Sequence, residues 1–223
     1  VIVFGCFVFM VDKEITGIQV QKRNPERVNI YLDGEYAFGL SRIVAAWLRT
    51  GQRLSVEKIN ALCDEDGNEV AFQKALSLIS HRQRTSNEIR QKLIEKGFST
   101  SQIDEVVCKL ESAGLVEDEK YAQMWVENRN SLHPRSQRMM RLELLHKGIA
   151  EKEIDKALVR STEDAELATQ AAIQQLRKYS SLDWNDFRKK LSAYLMRRGF
   201  SYGTIAPVVR SAWESVKADQ RQK

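Results

Sequence analysis

Gly199-Phe200-Ser201-Tyr202-Gly203 spells G-x-S-x-G, the pattern in which a serine acts as the nucleophile of acyl transfer. That chemistry needs a sharp strand-to-helix turn, and a histidine further along the chain to take the serine proton. Here an apolar helical pattern precedes Gly199, and the last of the three histidines is His146. His81, His133 and His146 make no H-E-x-x-H pattern, and Cys6, Cys63 and Cys108 make no CxxC pair, so no metal site is expected. No glycine is followed by lysine, which excludes a G-x-x-x-x-G-K-[ST] phosphate loop. The chain is therefore expected to be no enzyme, with no catalytic residues, metal or cofactor. Its odd, scattered cysteines fit a reducing cytoplasm.

The remaining chemistry is electrostatic. Net charge is +5, unevenly shared: residues 163–223 carry eleven Lys and Arg against seven Asp and Glu, while residues 1–71 carry eight against ten. Arg129, Arg135, Arg138, Arg141 and Lys147 fall in one twenty-residue window with only Glu143 opposing them. Arg188, Lys189, Lys190, Arg197 and Arg198 crowd one later helical segment. Such clusters invite polyanions or an acidic protein groove. Arg135, Arg138 and Arg141, stepping by three, are expected along one helix edge.

What must position these side chains is a repeat. Lys96-Gly97-Phe98, Lys147-Gly148-Ile149 and Arg198-Gly199-Phe200 share a pattern, with the glycines 51 residues apart each time. Eight and four residues before each glycine stand Ile89 and Leu93, Met140 and Leu144, Leu191 and Leu195, each pair on one helical face. Six, nine and ten residues after it come Ile103 and Val106-Val107, Ile154 and Ala157-Leu158, Ile205 and Val208-Val209, a second helical face. The glycine between is a left-handed helix end, with a cation before it to complement the helix dipole. Ser99 with Gln102, and Thr85 with Glu88, have capping-box spacing. A third helical pattern lies upstream in each copy, beginning near Phe72, Tyr121 and Leu167. In the last copy Pro207 would break a helix interior, so that helix is expected to start late, capped by Thr204. Ser201 aligns with the capping Ser99 instead of with a nucleophile.

Before the repeats, residues 15–40 read as strand, with Asp33-Gly34 as a hairpin turn and Tyr36, Phe38 and Leu40 on one face. Short helices are expected over 43–49 and 56–62, the latter capped by Ser55, and the polar run 64–68 marks a boundary. Residues 1–11 are apolar but too short to span a bilayer, and Met10 is a plausible initiator. The expected fold is mainly α: three tandem three-helix repeats in an elongated array, preceded by a small antiparallel β meander. The expected divisions are 1–14, 15–66, 67–116, 117–162 and 163–223.

Three segments carry a resemblance: Arg90-Gln91-Lys92-Leu93-Ile94-Glu95-Lys96-Gly97-Phe98, then Gly114-Leu115-Val116-Glu117-Asp118-Glu119-Lys120-Tyr121-Ala122, then Glu143-Leu144-Leu145-His146-Lys147-Gly148-Ile149. With the repeats, they make the chain resemble the RecX family of bacterial recombinase regulators, from about Ile15 to the C-terminus. The resemblance implies binding to RecA and to its filament on single-stranded DNA, with inhibition of recombinase activity in DNA repair and the SOS response. The chain is further expected to be a monomer with no membrane partner, and weak direct DNA binding is left open beside the filament. The family's basic stretch in the middle repeat is matched by Arg129, Arg135, Arg138 and Arg141, although Leu132-His133-Pro134 replaces the usual glycine before that helix. These residues, with Lys147, Arg188, Lys189, Lys190, Arg197 and Arg198, are the expected filament-binding set. Two other classes fit the bare sequence: a non-specific DNA-binding helical module, and a helical-repeat scaffold for another protein.

Overall fold

The structure is a computed structural model and describes residues 12–221; the apolar stretch 1–11 lies outside the described residues. The chain divides into two compact units, residues 1–82 with 89–113, and residues 83–88 with 114–223.

In the first unit β1 (Lys13–Val20), β2 (Arg27–Leu32), β3 (Glu35–Ser41) and β4 (Arg53–Leu54) form an antiparallel sheet in the order β3-β2-β1-β4. Val28, Ile30 and Leu32 alternate inward and cluster with Ile15, Leu40 and Leu54. Asp33 and Gly34 both have positive φ, 51° and 90°, as a two-residue hairpin of type I′ requires. Tyr36, however, does not share the face of Phe38 and Leu40. Ile30 pairs with Phe38 and Tyr31 with Tyr36, so Ala37 is an extra residue that bulges the strand. Tyr36 is thereby turned to the outer face, its ring edge-on to Tyr31 with centroids 6.1 Å apart.

After the short α1 (Arg42–Ala45), Ser55 caps α2 (Val56–His81) by accepting from the Lys58 amide. The run 64–68, read from sequence as a boundary, lies inside this continuous helix of 26 residues, and so does the expected division at 66/67. The polar residues are contacts instead of a loop. Asp66 accepts from the Ser41 amide at 2.6 Å and pairs with Arg27 at 2.8 Å, tying α2 to the sheet. Gly67 lies against the side chain of Gln102 where a Cβ would collide, and Asn68 donates to Glu105, so the same turn carries α4 (Thr100–Ser112). Between them runs α3 (Ser86–Ile94). Ser99 and Gln102 form the expected capping box.

The second unit contains α5 (Asp118–Ser131), α6 (Gln137–His146), α7 (Glu151–Val159), α8 (Asp164–Tyr179), α9 (Trp184–Arg197) and α10 (Tyr202–Arg221). One apolar cluster runs through all six, from Ala122 to Val216, with Phe187 fully buried and packed on Trp213. The late start expected for the last helix is corrected. α10 begins at Tyr202, because the Ser201 hydroxyl accepts from the Thr204 amide and the Ser201 carbonyl from the Ile205 amide. Pro207 sits within the helix, where its missing N–H frees only the carbonyl of Gly203, an exposed residue that water can satisfy.

The three repeat glycines all end helices as expected, with φ of 85°, 76° and 91°. At each, the following amide reaches back five residues: Phe98 to Leu93, Ile149 to Leu144, Phe200 to Leu195. This is the Schellman closure, which satisfies carbonyls left over at the helix end.

Candidate functional site

The helix ends do more than terminate. Within the second unit, Thr85, fully buried, donates its hydroxyl to the carbonyl of Lys147 at 2.8 Å. Fifty-one residues on, the amide of the equally buried Ser136 donates to the carbonyl of Arg198 at 3.1 Å. Both are also N-caps, Thr85 accepting from the Glu88 amide and Ser136 from the Met139 amide. A carboxylate completes each joint: the Ser86 amide donates to Asp118 at 2.9 Å, and the Gln137 amide to Asp164 at 2.8 Å. Those carboxylates sit where helix dipoles favour negative charge. Gly148 packs on Asn87 and Gly199 on Ser136 and Met139, with no room for a Cβ at either. A four-part joint of one plan is thus built twice, with a hydroxyl as the donor to the helix-end carbonyl in the first and a backbone amide in the second.

Several of the basic residues read from sequence belong to this framework. Lys147 pairs with Glu88 at 2.9 Å and lies over the stacked rings of Tyr121 and Trp125. Burial alone would depress its pKa, but the Tyr121 and Glu88 side chains outweigh that and raise it above the ordinary lysine value. Arg198 donates to the Pro134 carbonyl at 3.1 Å and lies over the Tyr194 ring. Glu143 is a hub: it accepts from the Trp125 indole at 2.8 Å, from Arg129 at 2.9 Å, and from Arg135. Arg129 also stacks on the Trp125 ring at 4.5 Å. Arg141 pairs with Asp155 of α7.

Two sequence readings are corrected here. Arg135 precedes the cap of α6 and turns inward to Glu143, so it shares no helix edge with Arg138 and Arg141. Nor does the basic window lack neutralising acids, since Glu88 and Asp155 arrive from other helices and Glu143 serves two arginines. The Trp125–Glu143 hub itself was missed from sequence, where Trp125 reads only as part of an apolar helical face.

Five of the ten candidate residues remain outward. Arg138 on α6 and Arg188, Lys189, Lys190 and Arg197 on α9 are exposed and have no hydrogen-bond or ion-pair partner among the described residues. Holding unpaired like charges on one helix costs self-repulsion, which an anionic partner would relieve.

Ser201 is a cap. Its hydroxyl accepts from the Thr204 amide at 3.2 Å and shares a hydrogen bond with the Thr204 hydroxyl at 3.0 Å. Ser201→Ala is expected to lower unfolding stability by roughly 0.5–2 kcal/mol, the cost of a lost N-cap, in urea titration. Covalent labelling of Ser201 by a serine-directed fluorophosphonate would contradict this assignment. Among the described residues no group of three or more His, Cys, Asp and Glu side chains could hold a metal, and no helix is long and apolar enough to cross a membrane.

The twice-built joint, the Schellman glycines at a fixed interval and the three-helix units define a tandem helical-repeat protein. Comparison with known families narrows the class. Four regions match in order: the regulatory protein RecX N-terminal domain over residues 13–55, and the first, second and third three-helix domains of RecX over 71–110, 118–158 and 162–209. The regulatory protein RecX of Clostridium acetobutylicum is 30% identical over 209 residues, covering 90% of this chain and 97% of its own. That of Levilactobacillus brevis is 33% identical over 190 residues, covering 83% and 71%. A crystal structure of regulatory protein RecX, 30% identical, superposes with a TM-score of 0.67 over 92% of this chain and 99% of that one. RecX from Lactobacillus salivarius, 25% identical, gives 0.57 over 66% and 97%. The chain belongs to the RecX family of regulatory proteins.

Proposed function

We propose that this protein acts in the cytoplasm as a monomer that binds RecA and its filament on single-stranded DNA. It restrains recombinase activity in DNA repair and the SOS response, and catalyses no reaction of its own. One observation carries the reading: the four RecX regions follow one another in family order from residue 13 to residue 209. The unpaired cations of α6 and α9 are consistent with it, because a nucleoprotein filament presents anionic surface over a long span.

The structure changes which residues should test it. Reversing Arg135 would break the Glu143 hub and probe folding. Arg138, Lys190 and Arg197 are exposed and unpaired, and Lys190 and Arg197, seven residues apart, share one face of α9. Arg138→Glu, Lys190→Glu and Arg197→Glu together are expected to weaken binding to filaments at low salt by about tenfold or more, mainly by slowing association. Reversing Arg49 and Lys58 instead should change it less than about twofold. Fluorescence anisotropy on labelled filaments across a salt titration reads both. Equal binding by the triple variant and its parent would refute the basic-face assignment. A parent that neither binds filaments nor slows strand exchange would refute the function.

A further inference from the structure

The third repeat departs from the other two between its second and third helices. Arg90 of α3 pairs with Asp104 of α4, and Arg141 of α6 with Asp155 of α7, at positions 51 residues apart. The corresponding residues of α9 and α10 are Ser192 and Ala206, which cannot bridge the helices. A groove of about 860 Å³ opens there, against about 510 Å³ between α6 and α7. It is lined by Ala193 and by the exposed Met196 and Tyr202. Arg188, Lys189 and Arg210 stand along it against a single acid, Asp186, and none of the three cations has a partner among the described residues.

We propose that this groove receives an acidic segment of the partner protein, anchored by an apolar side chain between α9 and α10. The proposal rests on the reading of the function above and names a docking element for it. Charge complementarity selects the occupant: three unpaired cations favour carboxylates, while Met196 and Ala193 favour an aliphatic or aromatic anchor over solvent. Single-stranded nucleic acid fits less well. Stacking successive bases needs several presented rings, and Tyr202 is the only strongly exposed ring in the groove. Trp184, also in the lining, is packed against Trp213 with centroids 5.6 Å apart.

The other two repeats supply the experiment. Ser192→Arg with Ala206→Asp rebuilds their ion pair across the groove and closes it down toward the narrower one of α6 and α7, without touching the core. Binding of the whole 223-residue chain is measured to RecA filaments on single-stranded DNA, and separately to a bare oligothymidylate. The closed variant should bind filaments roughly tenfold more weakly, with oligonucleotide binding unchanged. Arg90→Ser with Asp104→Ala, which removes the corresponding pair between α3 and α4, should leave filament binding unchanged. Met196→Glu, at a position 59% exposed, gives a second route to the same loss if the rebuilt pair disturbs folding. Filament binding equal to the parent's in the folded closed variant and in Met196→Glu overturns the proposal. A parallel loss on bare oligonucleotide also overturns it, making the groove a nucleic-acid site. A parent that binds no filament refutes the functional reading first, and this proposal with it.

Discussion

Alanine in place of Gly148 or Gly199 is expected to destabilise the chain by about 2–5 kcal/mol, and in place of Gly97 by only about 1–2 kcal/mol. All three positions are left-handed, so a Cβ carries the same conformational strain at each. They differ in what surrounds them. A Cβ on Gly97 meets nothing within 4 Å. On Gly199 it would fall 2.6 Å from the Ser136 hydroxyl and 2.8 Å from the Met139 Cβ, and on Gly148 it would run into Asn87. Neither neighbour can swing aside cheaply, because each clash involves a Cβ fixed by the first turn of a helix. The caps and carbonyl bonds of the joint then have to lengthen together. Urea unfolding of the three variants separates strain from steric conflict. Equal costs at 97, 148 and 199 would mean that the joints are loose enough to absorb a methyl group.

Those joints also explain why the repeat architecture was so legible in the sequence. A left-handed helix end, a buried cap and an apolar i, i+4 pair each demand a narrow set of residue types, and the demands recur every 51 positions. What escaped detection depended on partners distant in the chain. The composition of Asp64-Glu65-Asp66-Gly67-Asn68 suggests a loop, yet Asp66 is satisfied by Arg27 and the Ser41 amide, which no local pattern announces. The bulge at Ala37 turns Tyr36 outward without altering the apparent alternation. β4 is two residues long, too short to show any period. Pro207 suggests a helix break by its general cost, but Ser201 caps the helix a turn upstream of where that break would start it. The charge reading failed in the same way: a count over twenty residues does not see Glu88, 59 positions from the lysine it pairs with. Half of the candidate cations were therefore legible as basic but not as bound, and the distinction that matters for recognition came only from the packed structure.

The hub at Glu143 shows how much that distinction is worth. Its side chain is 14% exposed and compensates Arg129, 17% exposed, and Arg135, 34% exposed, while also receiving the Trp125 indole N–H. Removing one member of a largely buried charge network leaves the others uncompensated, at a cost of about 3–5 kcal/mol. Glu143→Gln keeps the shape and removes the charge, and should lie near 3 kcal/mol, because Arg135 retains access to water. Its Nε is buried without a partner, so the arginine already carries one unmet donor before the carboxylate is neutralised. Asp155→Asn breaks the more exposed pair with Arg141 and should cost under about 1 kcal/mol. Denaturant titration of each variant reads the contrast. Replacing Arg129 by Met in the Glu143→Gln background should recover part of the loss, since it removes the stranded cation and keeps an unbranched chain over Trp125. If Glu143→Gln costs no more than Asp155→Asn, the two cation contacts of Glu143 are surface decoration, and Arg129 and Arg135 return to the pool of residues free to meet a partner. If it costs several times more, these two arginines are committed to holding α5 against α6, and any anionic partner must be met by Arg138 and the cations of α9.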